Sequence, residues 1–479
     1  MATREAAVIA ALVGRARAAQ AVAERHDQAG ADRLVAAAAW AIMEPARNLE
    51  LATLAVRDTG LGNVRDKVLK NHRKTLGLLR DLAHARTVGV IAEDRALGIT
   101  EIARPVGVVG AITPSTNPGA TPANMIINAM KGRNAIILAP SPKGYSTAER
   151  LLAFVHDEFD RIGAPRDLVQ LLPAPVDKAH THELLRQVDL VIATGSQSNI
   201  RAAYSSGKPA FGVGAGNVAA IVVAGADVEA AAERIVRSKT FDNATSCSSE
   251  NSVIIEEAVY APMMAALAAQ GAVLLDASER ARLQEALFPG GHLAAALTAK
   301  SAGSIADVAG IARAHDARVL MVDETGVGPA HPFSGEKLSP VLAVYRVADF
   351  EAAARQVAAI YAYQGAGHSV GLHASGERAD ALALQLGLTL PVARVIVNQA
   401  HCIATGGSFD NGLPFSLSMG CGTWGGNGFS ENLHYRHFLN ITRIARPIAP
   451  RTATADELLG QYLSETRRSG AAFDIEPRL

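Results

Sequence analysis

A chain of 479 residues carries 46 Lys and Arg against 46 Asp and Glu, so its formal net charge is zero, and 49% of it is hydrophobic. A nucleic-acid or membrane-surface binder needs a basic excess, and the balance argues against both; the 5% aromatic content also leaves few platforms for stacked bases. The three cysteines, Cys247, Cys402 and Cys421, are odd in number and not in CxxC spacing, which argues against a disulfide framework or a zinc site and fits a reducing cytoplasm.

At about 150 residues per domain, two or three domains are expected. Residues 2–87 are Ala-rich with helical periodicity, clearest over 31–43 and 48–59. Arg4, Glu5, Arg15 and Arg17 interrupt the first apolar stretch, which reads as an amphipathic helix rather than a signal peptide or membrane span. Residues 88–100 alternate like an extended arm or hairpin. A short apolar strand over 105–112 then runs into the turn-forming loop Thr113-Pro-Ser-Thr-Asn-Pro118.

From there strands and helices alternate: helix 121–132, strand 134–138, helix 147–162, strands 168–172 and 190–193, and a helix around 200–203. That order predicts a parallel sheet covered on both faces. Such sheets bind ligands beyond the carboxyl ends of their strands, and Thr113 to Pro118 and Thr194-Gly195-Ser196 are two loops of that kind. A glycine loop, 207–217, precedes a strand at 218–223. A second alternating half spans roughly 240–430, with strands near Val253, Val319, Leu342, Val370 and Val395. It ends in Gly420-Cys-Gly-Thr-Trp-Gly-Gly-Asn-Gly428, followed by a docking extension over 430–447 and a tail with a short helix over 455–465.

One stretch of that second half carries chemistry. Cys247 lies among Ser246, Ser248 and Ser249, just before the apolar run 253–255. Small neighbours leave room for a substrate carbon beside the sulfur and free backbone N–H groups for an oxyanion. That pattern reads as a nucleophile attacking an aldehyde or thioester. Gly-Val-Gly-Ala-Gly and Thr-Gly-Ser are weak signals singly, and the glycine loop is not the spaced dinucleotide fingerprint; a Gly-Ser turn opening a helix does offer N–H groups to a phosphate.

Together these motifs resemble the aldehyde dehydrogenase superfamily, and more narrowly its CoA-acylating branch, including the aldehyde half of bifunctional aldehyde–alcohol dehydrogenases. The matching stretches are Ile112-Thr-Pro-Ser-Thr-Asn-Pro118, Ala203-Tyr-Ser-Ser-Gly-Lys-Pro209, Gly212-Val-Gly-Ala-Gly-Asn217, Lys239-Thr-Phe-Asp-Asn243, Glu336-Lys-Leu-Ser-Pro340, Gly365-Ala-Gly-His368 and Gly420-Cys-Gly-Thr-Trp-Gly-Gly-Asn427, within a resemblance that covers roughly residues 10–447. The resemblance implies an α/β fold: a Rossmann-type NAD(P)-binding domain with the N-terminal helices (1–238, with an oligomerisation arm at 88–103), an α/β catalytic domain (239–429), and a C-terminal docking extension and tail (430–479).

It also implies roles. Cys247 becomes the nucleophile, His368 the base for the Cys247 or CoA thiol, and Asn117 or Thr116 the donor that joins the Cys247 N–H at the oxyanion. Glu336 is expected to hold the nicotinamide ribose, while Thr113, Pro114, Thr194, Gly195, Ser196 and Gly214 line the cofactor. Ser141 and Lys143 would lie at the adenosine ribose, where no acid repels a 2′-phosphate, so NAD and NADP both stay open. No carboxylate lies between Phe211 and Asn217, where hydrolytic relatives place their base for water. CoA is therefore the expected acyl acceptor, with no metal involved.

Cys402 and Cys421 read as packing residues, and the loop 406–415 as the site of substrate selection, with Arg394 and His401 as anion contacts. The flank Thr245-Ser-Cys-Ser-Ser-Glu-Asn251 is similar to that of acylating sulfoacetaldehyde dehydrogenases. It points to a short polar aldehyde such as sulfoacetaldehyde, with acetaldehyde, propionaldehyde and succinic semialdehyde as alternatives. The rival readings are a hydrolytic aldehyde dehydrogenase and a catalytically silent scaffold. A cytoplasmic homodimer or larger homo-oligomer, without nucleic-acid or membrane partners, completes the expectation.

Overall fold

The computed structural model describes residues 3–214 and 216–465. Ala215 of the glycine loop and positions 466–479 of the tail lie outside the described residues. Two units separate: residues 1–88 with 104–440, and residues 89–103 with 441–479.

The larger unit opens with four helices, Arg4–Ala23, Gln28–Met43, Pro45–Thr59 and Val64–Leu82. Each is started by a side chain that accepts from an otherwise unpaired N–H: Thr3 from Ala6, Asp27 from Gly30, Glu44 from Arg47 and Asn63 from Asp66. Arg4–Ala23 is long and apolar enough by composition to cross a membrane. Here it is a core helix: Ile9, Leu12, Val13 and Ala16 are buried, and Arg17 pairs with Asp189 at 2.8 Å.

A five-stranded sheet follows, in the order Val169–Leu171, Ala135–Pro140, Val108–Thr113, Leu190–Thr194, Ala210–Val213. Every pair is parallel, and the central strands are buried along their whole length, as a sheet covered on both faces requires. Chain order reverses between Val108–Thr113 and Leu190–Thr194. The loops leaving these two strands are the two expected to bind ligand, and they flank the crevice that such a reversal opens.

The second sheet has seven parallel strands, ordered Ala272–Leu274, Val319–Asp323, Val341–Val347, Glu250–Glu256, Val218–Val222, Val370–His373, Val395–Val397. Strand Val218–Val222 pairs with Glu250–Glu256, so the crossing into the second sheet lies at the glycine run before Val218. Two short strands escaped the sequence. Ala210–Val213 contains a glycine and was read as loop; the hydroxyl of Tyr204 accepts from Gly212 N–H at 3.0 Å and holds it against its helix. The three-residue Ala272–Leu274 carries too little pattern to register.

In the smaller unit, Gly89–Asp94 pairs antiparallel with Ile99–Pro105, and Leu439–Ala445 completes a three-stranded sheet. The expected arm is therefore a hairpin extended by the C-terminal strand, and both outer strands are largely exposed. The helix expected in the tail is present as Ala455–Glu465.

Candidate active site

The approach to Cys247 is conformationally unusual. Asp242, Asn243 and Ala244 have φ of 51°, 51° and 58°, three consecutive non-glycine residues in the left-handed region. Such residues cost about 1–3 kcal/mol each and persist only where surroundings hold them. The restraint is visible. Asp242, fully buried, pairs through Oδ2 with Lys67 Nζ at 3.0 Å and Lys70 Nζ at 2.5 Å. Its N–H donates to Asp66 Oδ2 at 2.8 Å, and its Oδ1 accepts from Asn63 N–H at 3.0 Å. Burial alone would raise the Asp242 carboxyl, but the two ammoniums outweigh it and hold it below the usual range. Helix Val64–Leu82 thus clamps the turn that presents the cysteine.

His368 stands behind the sulfur, its Nε2 3.5 Å from Cys247 Sγ. His368 Nδ1 is 2.7 Å from Ser369 Oγ, which is 2.8 Å from His401 Nε2. Burial pushes His368 down to about 3, helped by Arg394, so the imidazole is neutral. With His368 Nδ1–H donating to Ser369 and the Ser369 hydroxyl donating to His401, Nε2 is left as the acceptor that faces the thiol. Burial, with Glu336 and Cys421 nearby, pushes the Cys247 thiol up. The resting pair is a thiol beside a neutral imidazole.

Two glycines make room for this pair. A Cβ on Gly216 would lie 2.4 Å from the Cys247 carbonyl oxygen, and one on Gly367 would lie 2.1 Å from the Cys421 carbonyl oxygen. The loop 420–428 therefore packs directly behind Gly367-His368, which gives Cys421 a packing role and no chemical one. Arg394 is spent in the same scaffold. Its guanidinium donates to the carbonyls of His368, Gly420 and Ser430 and to Asn432 Oδ1. His401 is committed to Ser369. Neither residue lines the cavity, so the anion-contact expectation for both is corrected.

The cavity itself, about 450 Å³, is lined by Thr113, Pro114, Asn117, Ser141, Thr194, Gly195, Ser196, Gly214, Cys247 and Glu336. Every residue expected at the site is there except His368, which backs Cys247 from behind, and Lys143, which is exposed in the short turn Pro142–Gly144 and contributes no lining atoms. Asn117 is oriented by Lys70, whose Nζ lies 2.8 Å from Asn117 Oδ1. An ammonium only donates, so the amide hydrogens of Asn117 face elsewhere, free for an oxyanion. Thr116 is held through its carbonyl, which accepts from Lys67 Nζ at 3.1 Å.

The cofactor end fits a dinucleotide. Glu336 Oε1 and Thr113 Oγ1 are buried polar atoms without a hydrogen-bond partner. Burial pushes the Glu336 carboxyl up to about 8, against a backbone hydrogen bond from Gly216. A ribose diol would supply the donors that Glu336 lacks. Ser196 caps helix Gln197–Tyr204 and places that helix start on the cavity, a setting suited to a phosphate.

Sequence reasoning missed the lysines. Lys67, Lys70 and Lys74 recur at helical spacing on Val64–Leu82 and are buried, and only their period of three and four hints at a shared face. Lys74 lines the cavity beside Cys402, Gly406, Ser416, Leu417 and Met419; of the 406–415 loop only Gly406 is among the lining residues.

The comparisons agree with this geometry. The model of the aldehyde dehydrogenase family matches residues 1–324. A sulfoacetaldehyde dehydrogenase (acylating) of Cupriavidus necator is 66% identical over 96% of this chain and 93% of its own length. A second such enzyme, from Bilophila wadsworthia, is 41% identical over 93% of this chain and 97% of its own. The crystal structure of an acetylating aldehyde dehydrogenase from Geobacillus thermoglucosidasius superposes with a TM-score of 0.89 at 35% identity, covering 94% of this chain and 99% of that one. The family model over more than half of the chain and these relatives show that the chain belongs to the aldehyde dehydrogenase family.

Proposed function

We propose that this protein is an NAD(P)-dependent, CoA-acylating aldehyde dehydrogenase acting on a short polar aldehyde, with sulfoacetaldehyde the substrate best supported by the 66% identical relative. One observation carries the acylating reading: among the described residues Glu336 is the only carboxylate lining the cavity, and its position suits the ribose. The cavity lining holds no second acid to act as base for water, whereas a thiol is a better nucleophile at neutral pH and needs less help.

The chemistry follows from the residues. His368 Nε2 accepts the Cys247 proton as Sγ bonds to the aldehyde carbon. The Cys247 N–H and Asn117 Nδ2 then hold the alkoxide of the thiohemiacetal, each such donor contributing roughly 100- to 1000-fold in rate. Glu336, Thr113 and the start of helix Gln197–Tyr204 would hold NAD(P)+, which when bound would supply the hydride acceptor for oxidation of this adduct to an acyl thioester. His368 releases the Cys247 proton to solvent and then accepts the proton of the CoA thiol as its sulfur attacks the acyl carbon; Cys247 leaves as thiolate and takes that proton back from His368. Acyl-CoA and the reduced nicotinamide are the products.

The test is a reconstituted reaction with and without CoA. NAD(P)H formation that depends on CoA, with acyl-CoA recovered, is the expected result. Undiminished NAD(P)H formation and free acid without CoA would establish the hydrolytic alternative, and no turnover of any aldehyde would leave the scaffold reading. NAD and NADP run in parallel, since Ser141 alone of the 2′-side residues reaches the cavity. The exposed outer strands of the smaller unit support assembly as a homodimer or larger, and free cysteines fit a cytoplasmic setting.

A further inference from the structure

A second, smaller hollow of about 30 Å³ adjoins the sulfur's side of the cavity, lined by Lys70, Arg73, Lys74, Asn117, Phe241, Ser246, Cys402, Ile403 and Leu417. It shares Lys74, Asn117, Ser246, Cys402 and Leu417 with the main cavity but none of the cofactor-side loops at Thr113, Thr194 or Gly214. At about 10–15 Å³ for a water-sized group, it takes the oxygens at the tip of a charged group whose body lies in the main cavity, with which it shares five lining residues.

Its charge is one-sided. Lys67 and Lys70 share one carboxylate, Asp242. Arg73 donates to Ser408 Oγ at 2.8 Å and Ile403 O at 3.4 Å. Lys74 is 7% exposed and donates to the carbonyls of Gly406 at 2.6 Å and Gly407 at 3.4 Å. No carboxylate pairs with Arg73 or Lys74 among the described residues. The Lys74 ammonium meets neutral carbonyls and, at 5.5 Å, the face of the Phe415 ring, with Asp81 acting on it from beyond ion-pair distance; taken from water without a paired carboxylate, it is undercompensated. Burial accordingly pushes Lys74 down to about 7, with Arg73 adding to it.

Resting on the acylating reading above, we infer that this hollow is the subsite for the anionic group of the substrate, and that Lys74, with Arg73 beside it, selects a sulfonate or carboxylate two or three atoms from the aldehyde carbon. An anion there supplies the missing counter-charge while the carbonyl stays over Cys247. A neutral aldehyde of the same length leaves the charge unmet, so discrimination is built into the empty end of the pocket.

The test compares kcat/KM for sulfoacetaldehyde, succinic semialdehyde and propionaldehyde in wild type, Lys74→Met and Arg73→Met, with CoA present. In Lys74→Met the preference for an anionic aldehyde over propionaldehyde should collapse by about 100-fold, mostly through KM; Arg73→Met should give a smaller shift in the same direction. If Lys74 merely braces the Gly406 loop, all three substrates fall by the same factor, and the inference is overturned. Should Lys74→Met not fold, wild type decides: ethanesulfonate should inhibit propionaldehyde turnover competitively and much better than ethanol at equal concentration, and no difference between them overturns the subsite. Wild type that reduces NAD(P)+ with propionaldehyde but not without CoA, and shows no anion preference, keeps the acylating reading and rejects this one. CoA-independent turnover rejects the reading beneath it.

Discussion

Replacing His368 with Ala removes the acceptor 3.5 Å from Cys247 Sγ while leaving the nucleophile in place. A cysteine in water already has only a few per cent thiolate at neutral pH, and burial raises this thiol further, so little of it ionises unaided. A positioned base usually contributes about 100- to 10,000-fold, which at about 1.36 kcal/mol per tenfold is roughly 2.7–5.5 kcal/mol of barrier. The assay is the first-turnover burst of reduced nicotinamide on rapid mixing with aldehyde, which reports acyl-enzyme formation before CoA acts. The burst rate should fall by that factor, and alkylation of Cys247 by iodoacetamide should slow with it. The pH profile adds a sign. His368 lies near 3, so in wild type it stays an unprotonated base until the pH approaches that value. The variant must ionise its thiol through solvent, and its burst rate should climb steeply as pH rises. A burst within about fivefold of wild type with an unchanged pH profile would refute the base assignment.

Three further outcomes follow from the same geometry. Asn117→Ala should lower kcat by roughly 100- to 1000-fold with little change in NAD(P) affinity, because it removes a donor made for the alkoxide; steady-state kinetics check this. Asp242→Asn leaves two buried lysines without their counter-charge and should destabilise the fold by about 3–5 kcal/mol, read by urea denaturation. Asp242 is held low, so its contribution is present above the ordinary carboxylate range and is lost as pH falls. Glu336→Gln should weaken NAD(P) binding yet stabilise the cofactor-free protein. The Glu336 carboxyl moves from 4.5 to about 8 on folding, so the folded state holds an extra proton between those values, and stability declines as pH rises through them. Melting temperatures of the two proteins should diverge toward alkaline pH, and parallel curves would show that the carboxyl is not perturbed.

Much of the site was legible because its signals are local. Serines around Cys247, glycines before His368 and turn formers after Thr113 are each needed by the backbone where they stand. The parallel sheets could be read from apolar runs spaced by helical periods. Strands weakened by glycine or limited to three residues could not, since neither alternation nor length distinguishes them from loop. Nor could the division at Val218, because which sheet a buried apolar strand joins depends on pairing across distant sequence.

By itself, the sequence determined the α/β fold class and the family resemblance, and that resemblance supplied the roles proposed for Cys247, His368 and the cofactor loops. Only the tertiary structure decided what long-range placement controls. It put Lys67 and Lys70 against Asp242 to hold three left-handed residues ahead of Cys247. It spent Arg394 on carbonyls and turned Lys74 toward the pocket. A buried charge takes its meaning from its partners: along the chain Asp242 lies 175 and 172 residues from Lys67 and Lys70, Gly406 lies 332 from Lys74, and the partners of Arg394 lie 26 to 38 away.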